Sequence, residues 1–322
     1  MTAAVTDAVL ARVRATGLLP DGGAVIVLLS GGQDSVCLLD VAVALAGRDA
    51  VRALHVEYGL RDEAAGDADH CAALCRRLEV PLDVEHARRP PESGNLQAWA
   101  RDARYAAGAL AAAASGARLA AGHTATDQVE TILYRLATSP GRRALLGMPV
   151  RSGRLVRPLL GVTREETAAY CAARGLGWRT DATNETDRYA RGRIRHGLVP
   201  ALEAVDGRAA ANVLNTAALL RDEAEVLGTV VETALAGRDH IAVDQLARLP
   251  VALARLVVRE LAERAIGGRP CPRAAARLPE LLELGDGALD VGDGARALVA
   301  GGVLRFGRTP PRPARGDTVD AA

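Results

Sequence analysis

Ala24-Val25-Ile26-Val27-Leu28-Leu29 runs directly into Ser30-Gly31-Gly32-Gln33-Asp34-Ser35, and the reading of this junction decides the fold. The apolar run has the length and branching of a buried strand. Two adjacent glycines let the backbone turn tightly with its N–H groups facing one point, and the hydroxyls of Ser30 and Ser35 add donors at either end. Residues 36–45 are almost wholly apolar and predict a buried helix, whose positive N-terminal end points at the same place. Ser30, Gly31, Gly32, Gln33, Asp34 and Ser35 therefore read as a phosphate-binding loop. A carboxylate beside a phosphate is repulsive unless a cation bridges them, so Asp34 is the candidate ligand for Mg²⁺. Other nucleotide loops fit worse. A Walker A loop needs a lysine and this chain has none, while a dinucleotide fingerprint separates its glycines.

Outward from this junction, apolar runs at 51–56, 82–86 and 118–123 read as further strands, with helices at about 35–46, 62–79 and 96–115. Residues 1–20 read as a short amphipathic helix. Strands alternating with helices of this length predict right-handed βαβ units and a parallel sheet, with the ligand at the carboxyl ends of the strands. Pro200 marks a boundary. The chain is thus expected to hold an α/β catalytic domain at 1–200 and a smaller, mainly helical domain at 201–310. Helices are expected there near 203–235 and 250–266, with hairpins from about 285, and the Pro/Arg-rich end at 311–322 reads as disordered.

Each strand end carries polar residues. Arg61 follows the second strand, and Asn95 is placed to cap a helix bearing Arg101, Arg104 and Tyr105. His123 ends the fourth strand. Asp127, Glu130 and Tyr134 then recur at helical spacing, so both carboxylates fall on one helix face near the strand ends. Two acids beside a triphosphate site can hold Mg²⁺ or a cationic amine.

Composition sets limits on the rest. The chain has 322 residues, 49% of them hydrophobic, ample for real cores, but only 2% aromatic, which argues against base stacking as the main mode of nucleic-acid binding. The cysteines, Cys37, Cys71, Cys75, Cys171 and Cys271, form no Cys-x-x-Cys pair and read as reduced thiols of a cytoplasmic protein. Neither a secretion signal nor an apolar span of membrane length is present, so no membrane partner is expected. Net charge is only +1, yet from Arg142 to Arg195 there are twelve arginines against five acids. That belt, which includes Arg191, Arg193 and Arg195, reads as a surface for a nucleic-acid backbone.

The loop resembles the Ser-Gly-Gly-x-Asp-Ser signature of the PP-loop ATP pyrophosphatases, which split ATP to AMP and pyrophosphate. Residues 122–131 resemble the His-His-Ala-Asp-Asp-Gln-x-Glu-Thr motif of the tRNA(Ile)-lysidine synthases: His123, Asp127, Gln128, Glu130 and Thr131 match, and Thr126 stands for the first aspartate. Ala-Arg-x-x-Arg-Tyr at 100–105 matches that family's helix along the active cleft. Asp181-Ala182-Thr183-Asn184 and Arg191-Gly192-Arg193-Ile194-Arg195 are similar to its Asp-x-Ser-Asn and Arg-Asn-x-Ile-Arg, with Thr183 for serine and Gly192 for asparagine. Tyr58 stands where a histidine is usual.

The resemblance implies ATP-dependent joining of free L-lysine to C2 of the wobble cytidine of a tRNA(Ile) with a CAU anticodon, through an adenylated tRNA. It makes Asp127 the base, with Glu130 orienting the amine or a metal and Asp34 acting through Mg²⁺. Arg61, Arg101, Arg104, His123, Arg191, Arg193 and Arg195 are then substrate or tRNA contacts, the second domain binds tRNA, and a homodimer is left open. A PP-loop tRNA thiolase shares the adenylation but needs paired cysteines near the cleft. A non-catalytic nucleotide-binding module leaves the two acids and the arginine belt without a purpose.

Overall fold

β1 (Val25–Leu28) is buried along its whole length. Val25, Val27 and the following Leu29 join one apolar layer, while Ile26 and Leu28 join another, as period-two side chains must on a strand covered on both faces. The computed structural model describes residues 2–59, 64–87, 96–139, 141–179 and 190–310. Arg61, Asn95, the stretch 180–189 with Asp181, Thr183 and Asn184, and the tail 311–322 lie outside the described residues.

β1 is flanked by β2 (Val51–Glu57) and β4 (Arg118–Ala120), and β3 (Leu82–His86) extends the sheet beyond β2, all in parallel. β5 (Arg151–Ser152) and β6 (Leu155–Val156) complete the order β3-β2-β1-β4-β6-β5, with β5 antiparallel at the edge. One face packs on α1 (Thr2–Ala15), α2 (Gln33–Ala46), α3 (Ala64–Leu78) and α7 (Arg164–Ala173). The other packs on α4 (Leu96–Ser115), where a Cβ on Gly108 would lie 2.8 Å from Leu119 and 3.1 Å from Leu28. Successive strands leave β1 in opposite directions, toward β2 and toward β4, so the crevice at their carboxyl ends is the topological switch point.

β4 is shorter than the run 118–123 suggests. Its continuation leaves the sheet at Ala121 to enter α5 (Ala125–Thr138), which is followed by α6 (Arg142–Leu145). α8 (Ala190–Arg193), a π-helical turn (Ile194–Leu198), α9 (Val199–Val205) and the first half of α10 (Ala209–Leu235) pack on α5 through Val129, Leu133, Ile194, Leu202 and Leu214. The expected continuous helix from 203 is broken at Asp206, whose carboxylate accepts the Arg208 N–H at 2.8 Å.

The chain divides into compact units at 1–220 and 221–322, with the division inside α10. In the second unit Val231 and Leu235 join a core with α11 (Val243–Arg248), α12 (Val251–Ala265), α13 (Pro272–Ala276) and α14 (Leu278–Glu283). That core backs an antiparallel sheet of β7 (His240–Ala242), β8 (Gly287–Gly292), β9 (Ala295–Ala300) and β10 (Val303–Arg308), ordered β7-β10-β9-β8. Its hairpins turn at Asp293-Gly294 and Gly301-Gly302, all with positive φ, as two-residue turns of the primed type demand. Among the described residues, no helix is long and apolar enough to cross a membrane.

Candidate active site

The loop after β1 is built as a cup. Gly31 has φ +81°, and a Cβ there would lie 3.3 Å from the Cys71 sulfur, so only glycine fits without strain. Ser35 Oγ accepts the Ser30 N–H at 3.2 Å, donates to the Gly32 carbonyl at 2.8 Å and lies 3.1 Å from Ser30 Oγ. Gly32 caps α2 without a side-chain acceptor, which leaves first-turn N–H groups for an anion. Asp34, in that first turn, has its pKa raised chiefly by burial, with Asp127 adding to the effect; a hydrogen bond from Thr167 and the charges of Arg164 and Arg195 oppose it. Gln33 turns away, its amide donating to the Arg164 carbonyl and to Thr167 Oγ1.

The facing wall is the segment leaving β4. A Cβ on Gly122 would meet the Asp34 carbonyl carbon and oxygen at 3.1 Å and the Ser35 nitrogen at 3.2 Å, so glycine lets this backbone press against the start of α2. Thr124 then caps α5. Its N–H and hydroxyl donate to Asp127 Oδ2 at 2.8 and 2.9 Å, and the Asp127 N–H donates back to Thr124 Oγ1, a reciprocal capping box. One helical turn on, Glu130 is 1% exposed and accepts from Arg195 Nε at 2.5 Å; the same guanidinium lies 3.9 Å from Asp127 Oδ1. Arg195 reaches them from the π-helical turn, a rare distortion found mostly at functional sites.

A positive cluster borders the acids. Arg101 and Arg104 lie over the Tyr105 ring at 5.6 and 5.5 Å, and Tyr105 stacks on His123 with its hydroxyl 3.5 Å from Nε2. Burial above all, helped by Arg157, Arg104 and Arg101 and opposed by Asp127, lowers the His123 pKa to about 4. Arg157 is 6% exposed and donates to the Pro149 carbonyl, while burial and then neighbouring Arg101, Arg157 and Arg191 lower the pKa of Arg135. Among the described residues, His123 Nδ1, Arg104 Nε and Arg157 Nε are buried without a hydrogen-bond partner. Such groups ask for an acceptor.

The match to known proteins agrees with this geometry. Residues 8–202 match the model of the PP-loop domain, an ATP-binding fold. A tRNA(Ile)-lysidine synthase of Symbiobacterium thermophilum is 40% identical over 92% of this chain and 67% of that protein; one from Gloeobacter violaceus is 38% identical over 83% of this chain and 86% of that protein. The chain belongs to the tRNA(Ile)-lysidine synthase family. Among solved structures, the U34-tRNA thiolase NcsA of Methanococcus maripaludis, with its 4Fe-4S cluster, aligns with TM-score 0.59 over 68% of this chain and 80% of that one. At 15% identity that likeness is one of fold alone.

In this lysidine synthase family member the loop 30–35, His123, Asp127 and Glu130 gather at the switch point, and Arg101 and Arg104 line the adjoining cluster. Arg191 donates to Thr131 Oγ1 at 3.4 Å, and Arg195 is turned inward onto the acids. Tyr58, at the end of β2, packs edge-on against Trp99 with ring centres 5.9 Å apart. Thr126 accepts the Arg164 N–H at 3.1 Å and so ties α5 to α7 without a charge. The sequence reading did not single out Thr167, Arg157 or Arg179. Arg179 donates its N–H to the Gly31 carbonyl and pairs with Asp67, fastening a strap to the loop. Only Arg157 left a sign in the sequence, a charge inside the apolar run Leu155-Val156-Arg157-Pro158-Leu159-Leu160.

Proposed function

We propose that this protein joins free L-lysine to C2 of the wobble cytidine of a tRNA(Ile) bearing a CAU anticodon, converting ATP to AMP and pyrophosphate through an adenylated tRNA. The single observation that carries the reading is the pressing of Gly122 against Asp34, which sets the acid pair of α5 beside the phosphate loop. A pyrimidine carbonyl oxygen leaves poorly, and adenylation makes it AMP. Lysine must then attack as a neutral amine although its ordinary pKa is about 10.4. Asp127 is the base that takes the proton, and Glu130 orients the amine. At 3.9 Å from the Arg195 guanidinium, Asp127 Oδ1 lies beyond hydrogen-bond distance of it and stays available to the amine.

The loop 30–35 holds the ATP phosphates through first-turn N–H groups and the two serine hydroxyls. The donor set fits Mg²⁺: Asp34 stands in the first turn of α2 beside the phosphate loop, with Asp127 near enough to disfavour its charge, and this ion is commonly held by one or two carboxylates with phosphate oxygens and water. When bound, it neutralises phosphate charge and eases departure of pyrophosphate. Arg101, Arg104 and His123 contact the tRNA, Arg101 from the exposed face of α4. The second unit adds tRNA contacts, with exposed Arg305 and Arg308 on β10. Such substrates put the reaction in the cytoplasm.

The test is pyrophosphate release and radiolabelled lysine incorporation with tRNA, lysine present or omitted. Incorporation into tRNA(Ile) with a CAU anticodon, and not into an unrelated tRNA, is expected. ATP binding without any tRNA-dependent turnover would instead favour a regulatory nucleotide-binding module.

A further inference from the structure

Asp34 is held by a residue outside every motif of the loop. Thr167 lies on α7, 133 positions further along the chain, and is fully buried. Its Oγ1 is 2.5 Å from Asp34 Oδ1, 2.8 Å from Gln33 Nε2 and 2.9 Å from the Arg164 carbonyl oxygen. A hydroxyl has one proton to give. The Gln33 amide nitrogen can only donate, so it occupies a lone pair of Thr167 Oγ1, and it also serves the Arg164 carbonyl at 2.5 Å. With that carbonyl already supplied, the Thr167 proton goes to the nearer and charged acceptor, Asp34.

The helices carrying these groups are locked together. Asp40 of α2, 2% exposed, accepts from the Tyr170 hydroxyl of α7 at 2.6 Å and from Nε of Arg174, the C-cap of α7, at 2.9 Å. The first turn of α7 is held by Arg12, which donates to Glu166 and to the Gly161 carbonyl just before the helix. Thr167, one turn before Tyr170, is therefore presented to Asp34 at a fixed height.

We propose that Thr167, oriented by Gln33, is a positioning residue for the reaction: it fixes the Asp34 carboxylate through Oδ1 and leaves Oδ2 directed to the cation that accompanies ATP. The inference rests on the reading of Asp34 as the Mg²⁺ ligand. A valine would keep the side-chain volume and leave the carboxylate free to turn, whereas a serine would keep the hydroxyl.

The test compares the wild type with Thr167→Val and Thr167→Ser. Binding of α,β-methylene ATP is measured by titration calorimetry with and without Mg²⁺, beside steady-state pyrophosphate release with tRNA. Thr167→Val should bind the analogue normally without Mg²⁺, lose about tenfold of the gain that Mg²⁺ confers, and lower kcat for pyrophosphate release with the KM for tRNA unchanged. Thr167→Ser should restore both. An undiminished Mg²⁺ gain in Thr167→Val, an equal loss with and without Mg²⁺, or no rescue by serine would overturn the proposal. If Thr167→Val does not fold, Gln33→Leu removes the orienting donor and should reduce the same gain; an unchanged gain again overturns it. The calorimetry needs neither lysine nor tRNA, so it is decided separately from lysine incorporation.

Discussion

Asp127 Oδ2 is occupied by the Thr124 N–H and hydroxyl, while Oδ1 faces Arg195 at 3.9 Å. An asparagine can keep the first contact through its carbonyl oxygen and cannot supply the charge of the second. Asp127→Asn should therefore fold, release pyrophosphate within a few-fold of the wild-type rate, and lose about 10² to 10⁴ in lysine incorporation. Single-turnover assays of the two half-reactions check this; near-normal incorporation would move the base to Glu130. Glu130 has a structural share as well. Glu130→Gln leaves the Arg195 guanidinium beside a neutral amide and should cost about 3 kcal/mol in urea unfolding. His123 gives a pH test. Its folded pKa of about 4 lies below the ordinary 6.5, so the neutral ring contributes stability that is present above 6.5 and is lost as pH falls through 4. His123→Gln should flatten the fall in Tm between those values, and an unchanged fall would mean that the ring titrates normally.

At the scale of elements, the site depends on two backbones meeting at Gly122. Gly122→Ala places a methyl 3.1 Å from the Asp34 backbone, where neither chain has a flexible side chain to move aside. It should destabilise the protein by about 1 to 3 kcal/mol and weaken binding of an ATP analogue, checked by thermal unfolding and calorimetry. Unchanged nucleotide affinity would show that α2 and α5 tolerate separation. The elements themselves were legible because each writes a local period: β1 to β4 and α2 to α5 all stand where apolar runs and helical spacing put them. The loop 30–35 and the acids of α5 were legible as short-range patterns. What stayed hidden was set by partners far along the chain. Arg195 resembles any arginine of the belt until the π-helical turn swings it onto Glu130, 65 positions away. Thr167 looks like an ordinary interior helix residue, and only the packing of α7 on α2 makes it a partner of Asp34. β7 escaped because three residues are too few to alternate visibly.

The whole molecule separates the lysine reading from sulfur transfer, the chemistry of a thiolase with the same fold. All the cysteines are buried, and burial pushes the Cys71 and Cys75 thiols up to about 12 and 11, far from the thiolate that a nucleophile requires. Replacing all five cysteines with alanine should leave lysine incorporation within a few-fold, at about 1 kcal/mol of stability for each buried sulfur removed. Loss of tRNA modification in such a variant, with circular dichroism intact, would turn the choice toward a thiol-dependent reaction.

Charge is the other property of the molecule as a whole: a net charge of only +1 conceals the arginine belt of 142–195. Affinity for tRNA should fall steeply with salt, each phosphate contact adding about 0.7 to 0.9 to the log–log slope. The belt does not act as one surface, because Arg195 is committed to Glu130 while Arg193 is exposed and Arg191 lies on the same short helix. Arg191→Ala with Arg193→Ala should therefore weaken tRNA binding and lower the slope by up to about 2, with pyrophosphate release at saturating tRNA little changed. Arg195→Ala should do the reverse, lowering lysine incorporation and thermal stability while the salt slope stays near the wild-type value. Filter binding across a salt series resolves the two. A slope that drops in Arg195→Ala and not in the double variant would reverse these roles and make Arg195 the phosphate contact.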